Sequence, residues 1–331
     1  MTNLKSLSNE QILSLKIKEL DPKLGPEQRS MIEMLNNQLR ALGIKWRPHH
    51  WFSQEWFSPD GVSGFAIPFM LTHKKLIKLE KEHLGTCEGE SMQSFYKLIC
   101  HETAHAIDNA YKLRLNKKRQ ELFGLSSTSY PSSYRPNPSS LNYISFLGDH
   151  YAQAHPDEDW AETFGHYLMH GKLPDRYKGT RVEEKYHCVH QIVSSLKNKE
   201  FKANEWITPE NYRHDNMTIG EYLEKKKKSL KLHKTNYFEK KIVKKFQDNR
   251  EGILVSSFMR IKKKSIINKL TKRTNHHPWV LSKSFDDLAK ECKNKNYSFK
   301  SSNQISEQKI EQIIFSNIDD YVKKGRTRIY M

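Results

Sequence analysis

The chain has no Cys-x-x-Cys pair: its four cysteines, Cys87, Cys100, Cys188 and Cys292, are scattered through 331 residues. That spacing argues against a disulfide framework and a zinc ribbon, so reduced thiols are expected. No apolar run reaches the length of a membrane span, and the first ten residues contain no long apolar core. The expectation is a cytoplasmic protein with no membrane association. There is also no internal repeat. Hydrophobic residues make up only 36% and mean hydropathy is −0.81. Yet 15 Phe, 15 Tyr and 6 Trp are too many for a disordered chain, which leaves a globular protein with a heavily charged surface.

What is abundant is positive charge. A net charge of +18 attracts polyanions or an acidic partner by long-range steering. None of the common nucleic-acid-binding modules is signalled, so nucleic acid is not the expected partner. The clusters Lys225 to Lys228 and Lys262 to Lys264 place much of this charge in the C-terminal half.

The most informative stretch is His101-Glu102-Thr103-Ala104-His105. No Gly or Pro interrupts it, and Phe95, Leu98, Ile99, Ala106 and Ala110 recur at helical intervals, with Ser91 as a plausible cap. Histidines four apart on a helix share a face, so both imidazoles can meet one tetrahedral Zn²⁺. Glu102, one step round, can reach a water on the open side of that ion and take its proton. Chance alone produces this spacing in about one such sequence in twenty. The small and apolar flanks, however, make a His-Glu-His face costly to bury without partners.

A third histidine is missing where a metzincin requires one, because Asp108 and Tyr111 occupy the positions for Gly and His. The remaining ligand is therefore sought as a carboxylate on a following helix. Pro156 opens that helix, acids fill its first turn and Gly171 closes it. Its Glu158 and Glu162 lie four apart on one face, and whichever does not bind metal would orient a histidine. Asp108, three residues after His105, is a further candidate for that supporting role, with a solvated surface position as its alternative. His166 lies close enough to Glu162 in sequence to enter the same cleft, whereas His187 and His190 read as surface or core residues.

Around these motifs, two helices precede Gly43, with a break at Asp21-Pro22 and Gly25-Pro26. Phe65 to Leu71 reads as a strand that Pro68 confines to an edge or an end, and such an edge is one place to hold an extended peptide by backbone pairing. A short helix runs from His73 to Leu84. The basic helix after Tyr111 is expected to continue towards Gly124. A turn-rich insertion, Ser126 to Ser140, carries Tyr130, Tyr134 and Arg135 as residues that could line a cleft. The C-terminal half reads as helices over Tyr186 to Leu196, Ile219 to Leu232, Tyr237 to Phe246, Ile253 to Leu270, Phe285 to Cys292 and Ile305 to Tyr321. The expected organisation is N-terminal helices (1–43), a metallopeptidase domain (44–198) and a helical lysine-rich region (199–331). The fold class is α+β, mostly helical with a small sheet.

The H-E-x-x-H helix with Glu158-x-x-x-Glu162 resembles the glutamate zincins. Glu158-Asp159-Trp160-Ala161-Glu162-Thr163-Phe164 is similar to the motif of the anthrax lethal factor and Pro-Pro endopeptidase branch. More broadly, Trp46 to Leu196 resembles bacterial zinc-binding metallopeptidases, in Glu55 to Gly61, His101 to Tyr111, Tyr134 to Pro138 and Tyr151 to Phe164. The resemblance implies Zn²⁺ on His101, His105 and Glu158, with Glu162 in support. It also implies Glu102 as base and Tyr151, seven residues before the ligand, as the group that stabilises the transition state. A peptide or protein substrate follows from it. Trp160 in place of the usual Phe, and the long insertion, depart from that pattern. The other function classes in view are a zinc-stabilised binding module without hydrolytic activity and a basic nucleic-acid-binding protein.

Overall fold

The computed structural model describes residues 4–201, 207–232, 237–238, 253–274, 276–299, 303–324 and 327–330. The chain forms two compact units, one of residues 1–131 and 141–232, the other of residues 132–140 and 233–331.

In the first unit, α1 (Asn9–Ser14) starts at a capping box in which Ser8 and Gln11 exchange hydrogen bonds. α2 (Pro26–Ala41) starts with proline at its first position, where the missing N–H has no partner to lose. Two parallel strands follow, β1 (His49–Ser53) and β2 (Gly64–Pro68), in the register His50 to Phe65. α3 (Lys74–Leu84) ends at Gly85 with φ of 86°. α4 (Met92–Tyr111) is capped by Ser91, whose hydroxyl accepts from Ser94 N. α5 (Lys117–Phe123), α6 (Pro156–His170), α7 (Arg181–Ser195) and α8 (Ile219–Leu232) complete the unit. Its larger core joins Leu35, Phe65, Phe95, Ile99, Trp160, Phe164 and Val189. A smaller one joins Ile12, Ile17, Phe69, Leu76, Ile219 and Tyr222. Removing a ring as fully buried as Trp160 costs about 3–5 kcal/mol.

The architecture is mostly helical α+β with a small sheet, as the periodicity indicates. Several details of the first unit differ from the sequence reading: among them, the expected strand over Phe65 to Leu71 ends at Pro68, and Phe69–Thr72 is a 3-10 turn. The helix after Tyr111 does not continue: Lys112 turns left-handed at φ 53°, and Asp108 captures the Arg114 N–H at 2.6 Å, so the chain bends before α5. β1 is a strand that alternation of polarity conceals. Its inward His49, Trp51 and Ser53 bond through their side chains to the carbonyls of Ile207, Pro209 and Glu210. β2 is buried along its whole length and lies between β1 and Phe57, whose carbonyl accepts from Ala66 N. Backbone pairing with a peptide is thus not open at Ala66.

In the second unit, β3 (Ser133–Tyr134) pairs antiparallel with β6 (Ile329–Tyr330), and β4 (Ile253–Leu254) with β5 (Ser298–Phe299). Among the described residues its helices are α9 (Val255–Arg273), α10 (Pro278–Asn294), α11 (Asn303–Phe315) and α12 (Ile318–Lys323). Phe258, Ile266, Leu270, Leu281, Phe285, Ile310 and Tyr321 form the core. Ile305 to Tyr321 is not one helix: Ser316 Oγ and Asn317 Nδ2 bond to the carbonyls of Gln312 and Ile313, side-chain bonds that compete with helix continuation. Most of the helix expected over Tyr237 to Phe246 lies outside the described residues.

Candidate metal centre

The centre is made by α4 and α6 lying against each other. Two features hold them at this distance. Trp160 Nε1 donates to Ala104 O at 3.0 Å. Gly165 has no side chain where a Cβ would meet Phe146 Cε1 at 2.9 Å and the His101 backbone at 3.3 Å, so a larger residue would push the helices apart at the motif. At the start of α6, His155 Nδ1 accepts from Asp157 N at 3.1 Å. That leaves the proton on Nε2, which sits 2.6 Å from Thr128 O.

This packing brings together His101, His105 and Glu158, whose ligand atoms all lie within 4.8 Å of one another. His101 Nε2 is 3.1 Å from Glu158 Oε2, His105 Nε2 is 3.4 Å from the same oxygen, and the two nitrogens are 3.2 Å apart. A tetrahedral ion with bonds of about 2.0–2.1 Å separates neighbouring donors by about 3.3 Å. The three edges have that length, so the residues present fit such an ion. Two imidazole nitrogens and one carboxylate oxygen facing one point also need a cation, or a shared proton, between them.

The electrostatics agree. Burial by itself would depress His101, but Glu158 and Glu162 outweigh it and raise its pKa to about 10. Burial likewise opposes the ionised form of Glu158, yet His105 and His101 hold its pKa well below the ordinary carboxylate value. The pocket strongly favours positive charge beside an ionised carboxylate. Glu102 is buried, and its Oε2 has no partner among the described residues. Burial raises its pKa against the opposing pull of His101 and His105.

Around this group the remaining candidates take distinct places. Glu162 is fully buried. It accepts from the Phe146 and Leu147 N–H groups, with Oε1 3.3 Å from His101 Nδ1. The alignment of that last contact falls short of a hydrogen bond, and His101 Nδ1 has no other partner among the described residues. The Tyr151 ring centroid is 5.9 Å from that of His101. Asp108 is not beside a histidine: its carboxylate takes Arg114 N, Arg114 Nε and Arg119 Nη2. Arg119 also reaches Asp157 at 3.1 Å, so Asp108 ties α4 to the first turn of α6. His166 faces Tyr186 OH at 3.4 Å, and His190 bonds to Tyr167, so neither joins the metal group. Of the insertion, Tyr130 donates to Glu158 Oε1 at 2.9 Å, whereas Tyr134 belongs to β3 of the second unit. The sequence offers no direct sign of Arg119, which sits in a basic run that reads as solvated. His155 could have been found as the residue preceding a proline at a helix start.

Residues 82–217 match a family described as "Putative zinc-binding metallo-peptidase". The match takes in the whole H-E-x-x-H helix, the insertion and α6, and it supports a peptidase role. Glu55 to Gly61 lies outside it. No curated protein and no solved structure matches the chain. Among the described residues no helix is long and apolar enough to cross a membrane.

Proposed function

We propose that the first unit is a zinc-dependent peptidase in which His101, His105 and Glu158 hold the ion. The observation that carries this reading is the convergence of three donors at tetrahedral spacing beside a buried glutamate whose Oε2 has no partner among the described residues. When bound, Zn²⁺ supplies Lewis acidity for a carbonyl and acidifies a water. Glu102, one step round α4 from His101, accepts the proton of the attacking water as its oxygen adds to the carbonyl carbon of the scissile peptide. The same carboxyl then returns that proton to the nitrogen as the C–N bond breaks, leaving a carboxylic acid and an amine, which become carboxylate and ammonium when the acid's proton passes to the amine. Tyr151 donates a hydrogen bond to the oxygen that gains charge. Glu162 holds the 146–147 backbone and faces the far nitrogen of His101, fixing the orientation of that ring.

Protein purified without added metal is expected to contain near-stoichiometric zinc by elemental analysis. In an unbiased peptide-library screen, Glu102→Gln should keep zinc and fold yet lose turnover by about 10²–10⁴-fold. Tyr151→Phe should lower kcat by about 10²–10³-fold with little change in KM. Identical cleavage by wild type and Glu102→Gln, or no cleavage across the library with zinc bound, overturns the peptidase and leaves a zinc-stabilised binding module.

A further inference from the structure

The segment before the second unit's strand is fastened to the start of α6 at alternate residues. Ser126 Oγ donates to Asp157 Oδ1, Thr128 O accepts from His155 Nε2, and Tyr130 OH donates to Glu158 Oε1 at 2.9 Å. The Tyr130 ring also lies flat on His155, with centroids 3.7 Å apart and planes 13° apart. His155 cannot easily turn, because both its nitrogens are engaged. The phenol is therefore fixed in position from two sides, although half of the Tyr130 side chain is exposed.

The consequence falls on the two oxygens of one carboxylate. Glu158 Oε2 faces both histidine nitrogens, while Oε1 is occupied by the tyrosine hydroxyl. A carboxylate with both oxygens free can bind an ion through both and raise its coordination number. With one oxygen held by a charge-assisted hydrogen bond, it is restricted to the other. We propose that Tyr130 is a positioning residue that makes Glu158 a single-oxygen ligand and thereby keeps a coordination position open for water and substrate. This inference rests on the metal centre proposed above and assigns a role in it to the insertion. Tyr130 acts through Glu158 and is not itself a catalytic residue.

Tyr130→Phe tests this directly, since it deletes the hydroxyl and keeps the ring that stacks on His155. Two readouts are taken on the full chain: zinc affinity by competition with a chromophoric chelator, and the visible d–d spectrum of the Co²⁺-substituted protein. Wild type is expected to show the intense bands of a four-coordinate ion. Tyr130→Phe should bind zinc about tenfold more weakly and give the weaker bands of a higher-coordinate ion, with the apo protein melting at the wild-type temperature. Unchanged affinity and an unchanged spectrum in Tyr130→Phe, with wild type binding normally, overturn the role of Tyr130 and leave the metal centre standing. Failure of wild type to take up either ion overturns both.

Discussion

The two units bury charge in opposite ways. Between α4 and α6 the first unit encloses His101, Glu102, Asp108, Arg119, Asp157, Glu158, Asp159 and Glu162, none more than 6% exposed. Among the described residues of the second unit, the buried acids Glu307 and Glu311 meet cations that remain about half in solvent: Lys269 reaches both, and Arg273 reaches Glu311. Net charge divides in the same sense. Residues 132–140 and 233–331 hold 24 Lys and Arg against 10 Asp and Glu, and the first unit holds 32 against 28. Sealing charge in is not a route to stability, and Asp108 shows it: burial outweighs Arg119 and Arg114 and leaves its pKa raised. Among the described residues the cluster that could hold a metal ion, His101, His105 and Glu158, lies in the first unit, and the proposed chemistry is placed there.

The largest effect that separates the two environments is expected within α6. Glu158→Ala should lower zinc affinity by more than about 100-fold, because it removes a donor, whereas Glu162→Ala should lower it by about 10–100-fold through loss of ring orientation. Elemental analysis after dialysis and chelator competition measure both. If Glu162→Ala loses more metal than Glu158→Ala, the two exchange roles.

Next in size is the cost of opening the seam. Arg119→Met leaves Asp108 and Asp157 buried without their shared cation, and denaturant unfolding should show a loss of about 3–5 kcal/mol. The matching change in the second unit, Lys269→Met, removes a cation that is about half in solvent and should cost no more than about 1 kcal/mol. Equal effects would erase the contrast between the units.

How much of this was legible in the sequence follows from the same contrast. His101, Glu102 and His105 are readable because a helix makes spacing equivalent to geometry. Pro156, the acids after it and Gly171 mark α6 as clearly. That the two helices meet with His101 opposite Glu158 depends on Gly165 and Trp160, residues whose roles exist only once both helices are packed. Asp108 is hard to place from sequence for a related reason: its position three residues after a histidine allows a histidine partner or a solvated side chain, whereas Lys112 ends the helix and brings Arg114 and Arg119 round to it. β1 was hidden because its inward polar side chains are satisfied by Ile207, Pro209 and Glu210, more than 150 residues away.

A smaller effect than opening the seam is expected at its margin. His166 lies on α6 against the Phe146 ring and the Tyr186 hydroxyl, and it faces His170, Lys97 and Arg176. Burial, then the influence of His170, Lys97 and Arg176, depresses its pKa from 6.5 to about 4. Above pH 6.5 the ring is neutral in the folded and unfolded chains, and it contributes no pH dependence. Between pH 6.5 and 4 the unfolded chain takes up a proton that the folded chain refuses, so stability falls as pH falls and levels off below about 4. The ring is 8% exposed; after allowance for screening the loss is about 2 kcal/mol. His166→Phe removes this contribution. The metal-site histidines titrate in both proteins, so the difference in unfolding free energy between wild type and variant isolates His166. That difference should shift in the variant's favour from pH 6.5 down to 4. A difference independent of pH over this range would mean that the folded ring titrates normally and that the charge around it is better screened than its burial implies.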